Sequence, residues 1–449
     1  MVMIVAKRRK KLKFKYKVRR FIFLIIVILI IYLFINLLIG IINYFKKEDD
    51  PIKQVINNKT NSLKINIVDT SESDNDVIDT VFMEGMSLSD FNDILNHKST
   101  KLESNDSYKH IDYDFEKKLH YFELEDIYKN MNNSAIANVE IIGKSVDNRN
   151  IYGIEIGTGD KVLFLDANIH AAEVASTLIL TRFLSEILND YESNDKNIVN
   201  LLNNVKIAVI PCINPDGYEV YNYGINSLNN KDLWIYENKD NIAFTNIKSN
   251  ANGVDLNRNF PTQNVGLYYK GNSLISNTSI EKTTQSGKYF NGYSAGSEPE
   301  TKAAMYFMIK HYKNVYAYIN MHSQGRVIYA GKPNLSKEFN NLTSSFAKKA
   351  SSVTNYVVHG LSSEEVGEGN DGSATDFMAE LANGFSFSSK TGRLSSKKYI
   401  NNSSKMEYNY PVITMETMKI WTSDPSYFKS EYYDNGIREL LYKLIENDL

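Results

Sequence analysis

The sequence predicts an α/β protein, a mixed, partly parallel sheet with helices on both faces, preceded by one transmembrane helix. Three observations predict it. Four apolar, β-prone runs, KVLFLDANIH, VKIAVIPCI, VYAYINM and YPVITM, are separated by segments of helical periodicity. Polar groups recur at the carboxyl ends of these runs, where open α/β sheets build their sites. A stretch from Phe21 to Phe45 carries no charged residue.

The charge distribution explains that stretch. Residues 1–47 contain twelve Lys and Arg and no Asp or Glu, so the remainder holds 39 basic and 53 acidic residues, a net of about −14. An acidic body is a poor partner for nucleic acid, and none is expected. The apolar run of 25 residues exceeds the roughly 20 that cross a hydrocarbon core and the ~7 to 15 of a cleaved signal core. Lys46, Lys47, Glu48, Asp49 and Asp50 follow it without a small-residue cleavage site. Ten basic residues precede the run and two follow closely, which directs the N-terminus to the cytoplasm and the body outside.

Four segments are therefore expected. Residues 1–20 form a basic cytoplasmic tail, and residues 21–45 a signal anchor in contact with membrane lipid. Residues 46–107, rich in Asn, Ser, Asp and Lys, form a stalk or linker. Residues 108–449 form the folded α/β domain. The only cysteine, Cys212, sits in the apolar run AVIPCIN and reads as a buried structural thiol, so the body has no internal disulfide. Nothing in the sequence sets an oligomeric state.

Within the body, an amphipathic segment, YDFEKKLHYFELEDIYKNM, precedes two strand-like runs, ANVEIIGKS and IYGIEIGTG, separated by the turn-forming VDNRN. The run KVLFLDANIH leads into AAEVASTLILTRFLSEIL, a strand followed by a buried helix. Ser297 and Glu300 fit a capping box ahead of the helical TKAAMYFMIKHY. His170, Asn214, His322 and Glu416 stand at the ends of the four apolar runs.

His170 and Glu173 are three apart in H-A-A-E, a spacing that lets an imidazole and a carboxylate converge at a helix start. A catalytic zinc centre takes three protein ligands and leaves a position for water, and His322 is placed to complete a His2Glu set. The plain alternative is that each histidine is an ordinary hydrogen-bonded side chain. Glu416 lies in PVITMETMKIW, where an acid is costly to bury unless it faces a polar site; a buried pair with Lys or Arg is the other reading.

The run NGVDLNRNFP from Asn252 to Pro261 resembles a diagnostic motif of the carboxypeptidase A-like zinc metallocarboxypeptidases. The H-x-x-E at His170, N-P-D-G at Asn214 to Gly217, H-S-x-G at His322 to Gly325 and the Glu of TMET appear in that family's order. The resemblance spans roughly Tyr108 to Leu449. It implies one Zn2+ ion held by His170, Glu173 and His322, with Asp255 orienting the His170 ring. It implies that Asn257 and Arg258 bind the substrate's terminal carboxylate, and that Glu416 is the general base. The segment GSATDF, Gly372 to Phe377, resembles the loop lining the pocket for the released side chain, with Thr375 nearest the position that grades specificity; a plain surface turn is the alternative.

The pattern breaks in three places. The family's oxyanion arginine is replaced by Ile235 in LWIYEN, and Lys248 offers a substitute charge. No tyrosine occurs between Val357 and Lys398, where the family carries a mobile one. Ala172 replaces an arginine common inside H-x-x-E. The resemblance leaves two substrates open, ordinary C-terminal peptides and peptidoglycan stem peptides. A non-catalytic peptide- or wall-binding module of the same fold is the competing reading, and retention of Glu416 argues against it.

Overall fold

The computed structural model describes residues 93–446, leaving out 238–246, most of 263–289, 360–371, 397–407 and a few shorter stretches. The expected tail and signal anchor, residues 1–45, lie outside the described residues, as does most of the expected linker. Among the described residues no helix is long and apolar enough to cross a membrane.

A short strand β1 (Thr100–Lys101) is followed by helix α1 (Tyr121–Met131), then β2 (Ala137–Lys144), β3 (Asn150–Ile156) and β4 (Lys161–Ala167). The amphipathic segment is thus helical only in its second half. Helix α2 (Val174–Glu192), α3 (Lys196–Asn204), β5 (Val205–Ile210), α4 (Pro215–Tyr223) and α5 (Lys231–Glu237) come next, then a small hairpin β6 (Tyr269–Lys270) and β7 (Ser273–Leu274). Helix α6 (Pro299–His311) leads to β8 (Val315–Ser323) and β9 (Val327–Ala330). The chain continues through α7 (Lys337–Thr354), β10 (Val357–His359), α8 (Ala374–Ala382) and a second hairpin, β11 (Phe385–Ser388) and β12 (Arg393–Ser396). Strand β13 (Val412–Thr417), α9 (Pro425–Asp434) and α10 (Ile437–Ile445) complete it.

Nine strands form one mixed sheet in the order β1-β2-β3-β5-β4-β8-β13-β9-β10. Strands β5, β4, β8 and β13 run parallel, and antiparallel pairs flank them. The predicted mixed, partly parallel sheet with helices on both faces is therefore observed. Strict alternation divides the core between the two faces. Leu163, Leu165, Ala317, Ile319, Ile413 and Met415 belong to one cluster, which α2, α9 and α10 cover. Val162, Phe164, Tyr318 and Val412 belong to the other, with α6 and α8 above them.

The second face changes character toward the carboxyl ends of its strands. Phe164 gives way to Asp166, Tyr318 to Asn320 and His322, and Val412 to Thr414 and Glu416. Register aligns these changes, because Asp166 pairs with Asn320, Asn320 with Thr414, and His322 with Glu416. Two polar rows thus cross adjacent strands, one pleat apart.

The predicted capping box is corrected. Helix α6 begins at Pro299, whose fixed φ suits a first helical position. Glu300 turns inward instead, accepting from the Val146 amide at 3.0 Å and from Asn250 Nδ2 at 3.0 Å. Ser297 Oγ donates to Glu298. The buried carboxylate anchors a loop rather than a helix end. Cys212 is buried and unpaired, as read from its neighbours.

Candidate active site

Strand β4 ends at Ala167, and the chain turns through Asn168 at φ 53°, a left-handed position that Asn tolerates. His170 and Glu173 stand on the turn that follows. Glu173 is the residue before α2, so both precede the helix instead of sharing its first turn. Two neighbours hold the turn in place. The Ala172 amide bonds to Ile247 O at 2.9 Å, and Asn214 Nδ2 bonds to Ser249 O at 3.0 Å. Gly217 packs beneath Ala171 so closely that an added Cβ would lie 2.5 Å from the alanine's own. The N-P-D-G motif therefore shapes the site through packing.

His170, Glu173 and His322 meet there, each at most 3% exposed, with ligand-capable atoms all within 4.8 Å of one another. Glu173 Oε1 lies 2.7 Å from His170 Nδ1, and Oε2 lies 2.7 Å from His322 Nδ1. The outer nitrogens face acceptors too. His170 Nε2 is 3.2 Å from Asp255 Oδ1, and His322 Nε2 contacts Asn320 Oδ1. A neutral imidazole has one proton and cannot satisfy acceptors at both nitrogens. With the outer nitrogens protonated, both Nδ1 lone pairs and the Glu173 carboxylate point at a common centre, an arrangement that suits a divalent cation. The donor set fits zinc.

Asp255, the residue expected to orient the His170 ring, lies behind that ring. It is fully buried, caps the short turn Leu256–Arg258 through the Asn257 amide at 3.0 Å, and faces His170. Burial opposes its ionisation, but the His170 ring, with Arg258 and Lys248 beyond it, holds its carboxyl well below the usual range. Asn257 is held by the start of α8, its Oδ1 accepting the Ala374 amide at 3.0 Å, and its Nδ2 lies 3.4 Å from His322 Nε2 without a hydrogen bond in this tautomer. Arg258 is 7% exposed and donates from Nη1 to Asn257 O at 2.7 Å.

Glu416 stands beside His322 in the parallel register of β13 and β8. One carboxyl oxygen, Oε2, is buried with no hydrogen-bond partner among the described residues. Burial, followed by the Glu173 carboxylate, pushes its pKa up to about 8, and the Lys248 ammonium opposes the shift. A cation among the ligands would oppose it further. Lys248 also acts electrostatically on His170, Asp255 and His322. Its backbone pairs with the H-x-x-E turn, Ala171 N reaching Lys248 O at 3.4 Å. Lys248 thus belongs to the loop whose backbone pairs with the ligand turn, while Trp234 beside Ile235 is buried in a separate apolar cluster.

A family model described as zinc carboxypeptidase matches residues 125–416, well over half of the chain. The chain belongs to the zinc carboxypeptidase family. This family uses one zinc ion and hydrolyses peptide bonds. Bovine carboxypeptidase O is 28% identical over 286 residues, covering 60% of this chain and 69% of that protein. Mouse carboxypeptidase A2 is 29% identical over 257 residues, 54% of each chain, and the human carboxypeptidase N catalytic chain 27% identical over 237, 51% and 46%. The chain thus spans about half the length of the latter two relatives.

Among solved structures, bovine thrombin-activatable fibrinolysis inhibitor, in complex with tick carboxypeptidase inhibitor, superposes with a TM-score of 0.52 at 20% identity. The match covers 74% of this chain and 99% of that one. Carboxypeptidase A from Helicoverpa armigera gives 0.51 at 19% identity, covering 76% and 77%. These likenesses establish the carboxypeptidase fold.

Sequence reading missed three members of this carboxypeptidase site. Asn320 binds the outer nitrogen of His322, and its Nδ2 donates to Asp166. Asp166 is fully buried and also accepts from Tyr318 at 2.6 Å. Burial pushes its pKa up to about 7, and the Tyr318 and Asn320 hydrogen bonds limit the rise. Thr414 lies beside Asn320 in register. The signal was present as period two, since Asn320 and Thr414 precede His322 and Glu416 by two residues and must share their face.

His322→Ala deletes one of three ligands, so the purified protein is expected to fall from about one zinc per chain to near zero by elemental analysis after dialysis. Retention of stoichiometric zinc would remove His322 from the centre.

Proposed function

We propose that the protein is a membrane-anchored zinc metallocarboxypeptidase that hydrolyses a terminal peptide bond outside the cytoplasm, with Glu416 as general base. The observation that carries the reading is Glu416 in register with His322, a buried carboxyl oxygen left open beside three convergent ligands. Zinc bound by His170, Glu173 and His322 supplies Lewis acidity and an acidified water. Glu416 accepts a proton from the attacking water and returns it to the departing amine. Lys248 offers positive charge to the oxygen that becomes negative, and Asn257 with Arg258 holds the substrate's terminal carboxylate.

Anchorage is assigned to residues 21–45, by their length and lack of charge. An outward-facing body has access to wall peptides, so peptidoglycan stem peptides, with a peptide or isopeptide link, join C-terminal peptides as substrates in this proposal. Protease treatment of intact cells is expected to digest the body; an inaccessible body contradicts the orientation.

The full chain in detergent, incubated with C-terminal peptides and with muropeptides, should release a terminal residue from at least one set. Glu416→Gln should lower kcat/KM by about 10²- to 10⁴-fold while leaving the zinc content unchanged. Equal rates for wild type and variant would exclude Glu416 as the base, and release from neither set would overturn the peptidase reading.

A further inference from the structure

We infer that the cleft below Glu416 selects a terminal residue whose side chain ends in a hydrogen-bond donor, and that Thr414 and Thr375 read that group. The inference rests on the peptidase reading above and adds the class of substrate side chain. It starts from an unusual exposure pattern. Strand β13 is interior to the sheet, paired with β8 on one edge and β9 on the other. Ile413 and Met415 on it are buried to 1% or less, yet Thr414 and Glu416 are both partly exposed. Side chains two apart share a face, so a cleft descends that face from Glu416 to Thr414.

The cleft ends in hydroxyls. Thr375, in the first turn of α8, is also partly exposed, and its Oγ1 lies 2.7 Å from Thr414 Oγ1 and 3.4 Å from Asn320 Oδ1. Proton direction follows from the far end of this chain. Asn320 Nδ2 donates to the Asp166 carboxyl, so Oδ1 is left as an acceptor. Thr375 then gives its proton to Asn320, and Thr414 gives its proton to Thr375. The lone pairs of Thr414 Oγ1 remain for an occupant.

An aliphatic side chain seated there would displace water and leave the Thr414 acceptor unmatched, which costs more than a hydrogen bond gains. A side chain ending in an amide or ammonium would satisfy it. Glu416 and Thr414 are two positions apart on the strand, a rise of about 7 Å. That depth suits side chains as long as glutamine or lysine, whose apolar counterparts are methionine and norleucine.

The test uses the full zinc-loaded chain and blocked dipeptides ending in Gln, Lys, Met or norleucine. Gln or Lys should be favoured in kcat/KM by about tenfold or more over the apolar counterpart, as sites built to bond a polar group reject analogues that lack it. Thr414→Val and Thr375→Val keep the side-chain shape and delete the hydroxyl. Each should reduce the preference ratio by about tenfold, a quantity that does not depend on the folded fraction. Equal or greater rates for Met and norleucine, or unchanged ratios in both variants, would overturn the inference. Calorimetric titration of the same dipeptides separates this failure from failure of the peptidase reading. If no peptide is cleaved yet Gln or Lys peptides still bind more tightly than their counterparts, the peptidase reading falls and the pocket assignment stands; no difference in binding overturns the pocket as well.

Discussion

The parallel register of β4, β8 and β13 is the constraint on which the site depends. Backbone pairing aligns Asp166 with Asn320, Asn320 with Thr414, and His322 with Glu416. Because alternate residues share a face, a single register fixes both polar rows at once. A slip of one residue would turn His322 and Glu416 into the apolar cluster on the other side, where Met321 and Met415 now pack. Apolar packing of Phe164, Tyr318 and Val412 beneath α6 and α8 opposes such a slip. The hydrophobic core thereby specifies where the chemistry sits.

On this frame the metal ligands impose a second condition. A carboxylate wedged between two imidazoles, each with an acceptor behind it, is electrostatically incomplete without a cation. Loops that carry no regular structure have to hold this arrangement. Asn214 ties the H-x-x-E turn to the loop of Lys248, and Asn250 donates to both Glu298 and Glu300. Asp255 joins the next loop to His170. Buried amides and carboxylates therefore do for these loops what ladder hydrogen bonds do for strands, fixing Lys248, Asn257 and Arg258 around one centre.

Much of this was legible from the chain alone. The four apolar runs announced their strands because period two and length are local properties, and His170, His322 and Glu416 stood out as polar residues ending them. Other features required tertiary knowledge. The inward turn of Glu300 looks locally like a capping box, and only the approach of Val146 and Asn250 shows otherwise. Helix α1 starts at Tyr121, where the Glu123 carboxylate accepts the His120 amide at 2.8 Å, whereas the apolar residues before it, Tyr113, Phe115 and Leu119, enter the core without helical structure. Thr414 and Asn320 escaped notice since neither bears charge; register alone gives them their place.

The central claim is a mononuclear hydrolytic centre formed by His170, Glu173 and His322 with Glu416 beside it. Titrating zinc into the chelated full-length protein while following release of the terminal residue from a cleavable peptide tests it most directly. Activity should vanish on chelation and return linearly, saturating at one zinc per chain; undiminished hydrolysis by the metal-free protein would contradict it.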